Sequence, residues 1–247
     1  MALFEARHLQ KRFGDQVVLE DITLAFEENR LCGIMGPNGA GKTTCFNVLT
    51  GRYKPDRGRV IFEGEDITGL APRTIARRGI ARSFQNMNLF DDFTALENVV
   101  LALPEVRDIG FNMLHDLSRD SQTLDRAATV LARIGLGGRE HAVARDLAYG
   151  QRRALEIGIA VAAEPRILFL DEPTSGLGSD ASTALSALIE ELRESVTIVI
   201  IEHDMRFLFG LADYIFVVHW GQIISQGTPA ELRANEWVKM SNLGELA

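Results

Sequence analysis

The nine residues Gly36-Pro37-Asn38-Gly39-Ala40-Gly41-Lys42-Thr43-Thr44 constrain this chain more than any other stretch. They read G-x-x-x-x-G-K-T, the P-loop pattern that cradles phosphate groups. The apolar run Leu31-Cys32-Gly33-Ile34-Met35 before them reads as a short buried strand. Phe46, Val48 and Leu49 after them read as one side of a helix. Strand, glycine loop and helix are the context that gives the motif its meaning. Glycines let backbone N–H groups turn inward into an anion-binding nest. The helix aims its positive end at the same point. Lys42 is expected to place a compact cation on the β- and γ-phosphates, and the Thr43 hydroxyl to ligate Mg²⁺.

The rest of the chain supplies a sheet for such a loop. Ile22, Leu24 and Phe26 alternate with Thr23, Ala25 and Glu27, so residues 3 to 28 read as antiparallel β structure. Lys11 to Asp15 reads as the turn within it. Phe13 in that turn either stacks on an adenine base or packs as a turn aromatic. Arg59 to Glu63 reads as a strand, with Gly64-Glu65-Asp66 as its turn. Arg73, Arg77 and Arg78 read as a solvated helix face. A strand from Gly79 to Phe84 delivers Gln85 to its end.

From about residue 86 the texture changes, and no strand pattern interrupts 91 to 163, which predicts a helical insertion. Thr94-Ala95-Leu96-Glu97 is a capping box, and Leu124, Ala127, Ala128, Leu131 and Ile134 form a helical stripe. Residues 104 to 118 have no clear period. Leu147 to Gln151 opens a helix that Pro165 stops. Arg166 to Leu170 is a buried strand ending in Asp171-Glu172. Ser179-Asp180 is expected to cap the next helix, and Val196 to Ile201 is a strand ending at Glu202-His203. Strands at 214 to 219 and 222 to 226 and a helix near Pro229 follow.

Alternating strands and helices predict an α/β fold with a mixed, largely parallel sheet and an antiparallel β part. Ligand-binding groups then belong at the carboxyl ends of the strands, where Gln85, Asp171, Glu172 and His203 fall. Asp171 would hold Mg²⁺, and Glu172 would act on the attacking water. Gln85 can bring an amide oxygen to the metal or the water. His203 can stabilise the γ-phosphate. Cys45 at the helix start is either a reactive thiol or an inert buried residue.

Composition narrows the partners. A net charge of −8 argues against a nucleic-acid binder. Cys32 and Cys45 make no metal or disulfide pattern. No stretch approaches the ~20 apolar residues of a membrane helix, so a membrane role is expected to come through a partner. Met1 to Glu5 has no secretory layout, which predicts a cytosolic protein.

Gly36 to Thr44, Gln85, Leu147 to Gln151, Ile167 to Glu172 and His203 together resemble the ATP-binding subunits of ABC transporters over nearly the whole chain. The distinguishing element is L-x-x-G-Q before a helix. Gly79 to Asn86, Leu89-Phe90, Tyr149, Leu155-Glu156-Ile157 and Leu243-Gly244-Glu245 look like the subunits of branched-chain and other hydrophobic amino-acid importers. The resemblance implies one ABC ATPase domain. Its RecA-like core with the antiparallel part spans 1–85 and 164–228, a helical subdomain spans 86–163, and a C-terminal extension spans 229–247. Two such subunits, the second a copy of this chain or a paralogue, would pack head to tail around two ATP molecules. Each ATP would contact Gly36, Pro37, Asn38, Gly39, Ala40, Gly41, Lys42, Thr43, Thr44 and Phe13 of one subunit and Tyr149, Gly150 and Gln151 of the other. Thr43, Gln85 and Asp171 would hold Mg²⁺. The helical subdomain and the Gln85 loop would receive a permease subunit at the inner membrane face, with a substrate-binding protein acting indirectly.

Two positions depart from the family pattern. Ala148 replaces the serine of L-S-G-G-Q, and Gly178 stands where an aspartate is usual. Export of lipid or polysaccharide is the alternative within the family. A soluble ABC protein acting on nucleic acid or ribosomes is a further one, opposed by the single P-loop and the lack of sustained heptads. Glu172 and His203 together oppose a non-hydrolysing regulator.

Overall fold

The computed structural model describes residues 2–83, 87–109 and 120–235. Its organising unit is one ten-stranded sheet. The strands are β1 (Ala2–Phe13), β2 (Gln16–Glu27), β3 (Leu31–Met35), β4 (Arg57–Phe62), β5 (Glu65–Asp66), β6 (Ile80–Arg82), β7 (Ile167–Asp171), β8 (Thr197–Ile201), β9 (Tyr214–His219) and β10 (Gln222–Gly227). They lie in the order β5-β4-β1-β2-β10-β9-β3-β8-β7-β6. From β9 to β6 every neighbour is parallel. From β5 to β2, and between β9 and β10, pairing is antiparallel. The two halves join where Gln222 pairs in parallel with Asp21.

Every residue of β3, β7 and β8 is buried, because both faces of the parallel half are covered. Alternation sorts their side chains into two cores. Leu31, Met35, Leu168, Leu170, Ile198 and Ile200 enter one. Cys32, Ile34, Ile167, Phe169, Val199 and Ile201 enter the other. Helix α1 (Lys42–Leu49) and the β1–β2 hairpin pack on the second core through Phe46, Leu49, Phe26 and Leu24. Phe169 makes edge-to-face contacts there with Phe4, Phe26 and Phe46.

Six-residue α2 (Pro72–Arg77) follows β5. The helices α3 (Ala95–Val100), α4 (Pro104–Ile109), α5 (Ser121–Arg133) and α6 (Tyr149–Ala162) come between β6 and β7. They share the first core with α7 (Ser179–Leu192) and α8 (Met205–Leu211). The Thr94 capping box forms: Thr94 accepts from the Glu97 amide, and Glu97 accepts from the Thr94 amide. α9 (Pro229–Ala234) opens with a second capping box, Thr228 with Glu231.

Three local readings change. Lys11 to Phe13 are strand, and the turn is only Gly14-Asp15, because Phe13 already pairs with Gln16. Glu65-Asp66 is strand β5. Glu63 and Gly64, with φ of +51° and +80°, make the tight turn alone. The N-cap of α7 is Gly178, with Ser179 and Asp180 inside the first turn, where the Asp180 carboxylate suits the positive helix end. Arg73, Arg77 and Arg78 are exposed, as a solvated face requires.

Candidate active site

The loop between β3 and α1 is shaped by close backbone approaches. A methyl group on Gly36 would lie 2.1 Å from the Val218 carbonyl oxygen, so the chain passes β9 only as glycine. Gly41 has φ +100°, and a methyl there would meet the Val18 carbonyl at 2.9 Å. The turn connecting β9 and β10 holds the loop from behind through Gly221 N–H to the Ala40 carbonyl, 3.0 Å. Asn38, Gly39 and Thr43 are exposed at its rim. Lys42 is buried, and its ammonium donates to the carbonyls of Gly36 at 2.7 Å and Pro37 at 3.0 Å. Burial lowers its pKa, while Glu172, Asp171 and Glu202 oppose that shift. The lysine therefore sits in the field of three carboxylates.

Two of those carboxylates end β7. Asp171 is only 4% exposed. Burial, then the adjacent Glu172, pushes its carboxyl up to about 6, with Arg82 and Arg153 pulling the other way. Glu172 takes φ +44°, a left-handed conformation that costs a non-glycine residue about 1–3 kcal/mol and needs surrounding contacts to persist. Those contacts are present. Its N–H donates to the Ile201 carbonyl at 2.8 Å, and its carbonyl accepts from Ser175 N–H at 3.1 Å and Arg153 Nη2 at 3.0 Å. The turn aims the Glu172 side chain towards His203, whose Nδ1 is 3.8 Å from Glu172 Oε1.

Sequence reasoning missed the residues that hold this arrangement. Glu202 is fully buried and accepts from four donors: Thr174 N–H at 3.0 Å, the Thr174 hydroxyl, His203 N–H at 2.9 Å and Asp204 N–H at 3.3 Å. It ties the end of β8 to the loop after Glu172. Arg82 donates to Asn47 at 3.1 Å and Thr50 at 2.7 Å and covers the Phe46 ring, fixing β6 to α1. Arg153 and Glu156 form a buried pair at 2.6 Å inside α6. The available signal was a charged i,i+3 pair on a helix face otherwise given to Ile157 and Ala160.

Lys42, Asp171, Glu172 and His203 thus converge at the carboxyl ends of β3, β7 and β8. Gln85 lies outside the described residues, as do Phe84, Asn86 and 243–245. Phe13 is 44% exposed, with its ring edge-on to Tyr53 and Lys11 5.4 Å from its centroid. Tyr149, Gly150 and Gln151 open α6, with Ala148 as an N-cap lacking a side-chain hydrogen bond. Gln151 Oε1 instead accepts from Ala148 N–H at 3.1 Å. α1 packs on one face of the sheet and α6 on the other. Among the described residues no hydrogen bond or ion pair joins Tyr149–Gln151 to Gly36–Thr44. Cys45 is completely buried and its thiol is pushed up to about 12, which favours the inert reading.

Residues 19–175 match the ABC transporter family. The high-affinity branched-chain amino acid transport ATP-binding protein LivG of Salmonella typhimurium is 41% identical over 250 residues, 98% of each chain. The lipopolysaccharide export system ATP-binding protein LptB of Escherichia coli is 33% identical over 246 residues, 99% of this chain and 98% of LptB. A crystal structure of an ABC transporter ATP-binding cassette in its ADP conformation superposes with a TM-score of 0.87 at 28% identity, covering 99% of this chain and all of that one.

Proposed function

This chain belongs to the ABC transporter family, and on that premise we propose that it is the ATP-hydrolysing subunit of an importer for branched-chain and other hydrophobic amino acids. The observation that carries the reading is the meeting of Lys42, Asp171, Glu172 and His203 beside the glycine loop. Residues 36–44 cradle the phosphates with backbone N–H groups. Lys42 exchanges the carbonyls of Gly36 and Pro37 for phosphate oxygens. Phe13 offers its exposed face to adenine.

Thr43, Gln85 and Asp171 are the proposed Mg²⁺ ligands. The donor set fits: hard oxygens with one carboxylate, suited to an ion that keeps waters and shares phosphate oxygens. Among the described residues no group of three or more His, Cys, Asp and Glu forms an all-protein cage. When bound, the ion neutralises phosphate charge. Glu172 takes the proton of the attacking water or orients it, and His203 donates to the γ-phosphate.

The opposite placement of α1 and α6 supports a site completed by a second subunit. Tyr149, Gly150 and Gln151 of one chain then close on the nucleotide held by the other. A permease subunit would dock on the helical part, where Phe90 and Phe93 stack at 5.4 Å and stay exposed. The substrate-binding protein acts through that permease. Among the described residues no helix is long and apolar enough to cross a membrane, so attachment to the cytoplasmic face runs through the permease. Export has less support, since LptB is less similar than LivG.

The test is Glu172→Gln in the assembled transporter. ATP binding should persist, turnover should fall about 100-fold or more, and an ATP-dependent dimer should accumulate. Unchanged turnover would refute the assignment. Uptake of labelled leucine into vesicles carrying the complex tests the substrate class, and no uptake with an active ATPase would refute it.

A further inference from the structure

Three consecutive carbonyls converge on one buried guanidinium. Arg153 Nη2 donates to Asp171 O and to Glu172 O, each at 3.0 Å, and Nε donates to Pro173 O at 3.2 Å. Nη1 faces Glu156 Oε2 at 2.6 Å. In an extended strand successive carbonyls point to opposite sides. Convergence therefore needs the chain to reverse, and the reversal is the left-handed turn at Glu172. The turn brings the carbonyls to the guanidinium, and the guanidinium is one of the contacts that hold the turn. A second tie runs parallel to the first: the Tyr149 hydroxyl donates to Ser175 O at 3.1 Å. Gly176, with φ +76°, passes so close beneath it that a methyl would lie 3.1 Å from the Tyr149 oxygen.

We infer that Arg153 is a positioning residue that holds the Glu172 turn and makes it one body with the amino end of α6. The inference rests on the proposed function. Within one subunit, Glu172 serves that subunit's own nucleotide, and Gly150 and Gln151 serve the neighbour's. A rigid link between them makes closure at one nucleotide set the carboxylate at the other. The link also offers a route between sites in a chain whose loop has Gly178 in place of the family's aspartate. The guanidinium is needed because its planar fork presents several donors in fixed directions, whereas an ammonium is a point charge.

The test uses the full chain with its transporter partners. Arg153→Lys keeps a cation opposite Glu156, so the buried carboxylate is not stranded. Arg153→Met/Glu156→Met removes the pair and fills the space. Three quantities are read: binding of a fluorescent ATP analogue, hydrolysis against ATP concentration, and hydrogen exchange at amides 172–178. Binding should stay within about twofold of wild type, since neither residue touches the phosphate loop. In both variants kcat should fall roughly 10- to 100-fold. Hydrolysis should lose cooperativity in ATP, and the 172–178 amides should exchange faster. A purely structural role would let the double variant regain kcat along with its melting temperature. That result, or unchanged kcat and cooperativity in Arg153→Lys, overturns the inference. Wild-type protein that fails to bind ATP overturns the site reading itself, and the inference with it.

Discussion

Replacing Asp171 with asparagine should stabilise the nucleotide-free protein while destroying its use of Mg²⁺ and ATP. The carboxyl is pushed from an ordinary 3.8 to about 6, mainly by burial. Between those values the folded chain binds more protons than the unfolded one, so stability falls as pH rises through that window and stays reduced above it. At pH 8 the folded chain carries a charge whose cost relative to the unfolded chain is on the order of 3 kcal/mol. At pH 5 only about half of that cost has developed. Asparagine matches the shape without the charge. Urea unfolding of both proteins, with EDTA and without nucleotide, should show the variant ahead at pH 8 and the gap narrowing towards pH 5. In a chain of this length the gain corresponds to roughly 6–12 °C in Tm at the higher pH. Excess Mg²⁺ and ATP should narrow or reverse the ranking, because at the proposed site wild type binds the metal–nucleotide pair more tightly than a variant that keeps only the phosphate loop. An Asp171→Asn protein no more stable than wild type at pH 8, or one whose advantage ignores pH, would refute the reasoning.

Other perturbations follow from the same contacts. Ala148→Ser supplies the side-chain hydrogen bond that the N-cap of α6 lacks, so it should add about 1 kcal/mol of stability by urea unfolding and strengthen the ATP-dependent dimer by sedimentation. Glu202→Gln turns an acceptor surrounded by four donors into a group with its own N–H₂, and should cost about 1–3 kcal/mol by urea unfolding. Cys45, buried and with its thiol up near 12, should resist a thiol reagent in native protein with or without ATP and react fully in denaturant.

Much of the site was legible because its chemistry is local. Gly36 to Thr44 is contiguous, and Asp171-Glu172 and His203 end continuous apolar strands. What escaped depends on distant partners or lost periodicity. Helix α8 was unread because Met205, Phe207, Leu208, Phe209 and Leu211 are all buried and only Arg206 and Gly210 of its seven residues are exposed, a polar side too narrow to mark a period. Glu202 looks like a strand terminus until Thr174 folds back onto it. Arg153 looks like an exposed helix cation until the chain turns at Glu172 and brings three carbonyls to it. Nothing in residues 104 to 118 showed a period, and the structure finds α4 at Pro104–Ile109, while 110–119 lie outside the described residues.

In the proposed head-to-tail pair, taken as two copies of this chain, the placement of α1 and α6 on opposite faces of a single sheet sends damage at each to a different pocket. Combine a chain defective at Lys42 with one defective at Gly150. One composite pocket collects both lesions, and the other collects none. Two dead alleles can then rescue each other, whereas two copies of either one cannot.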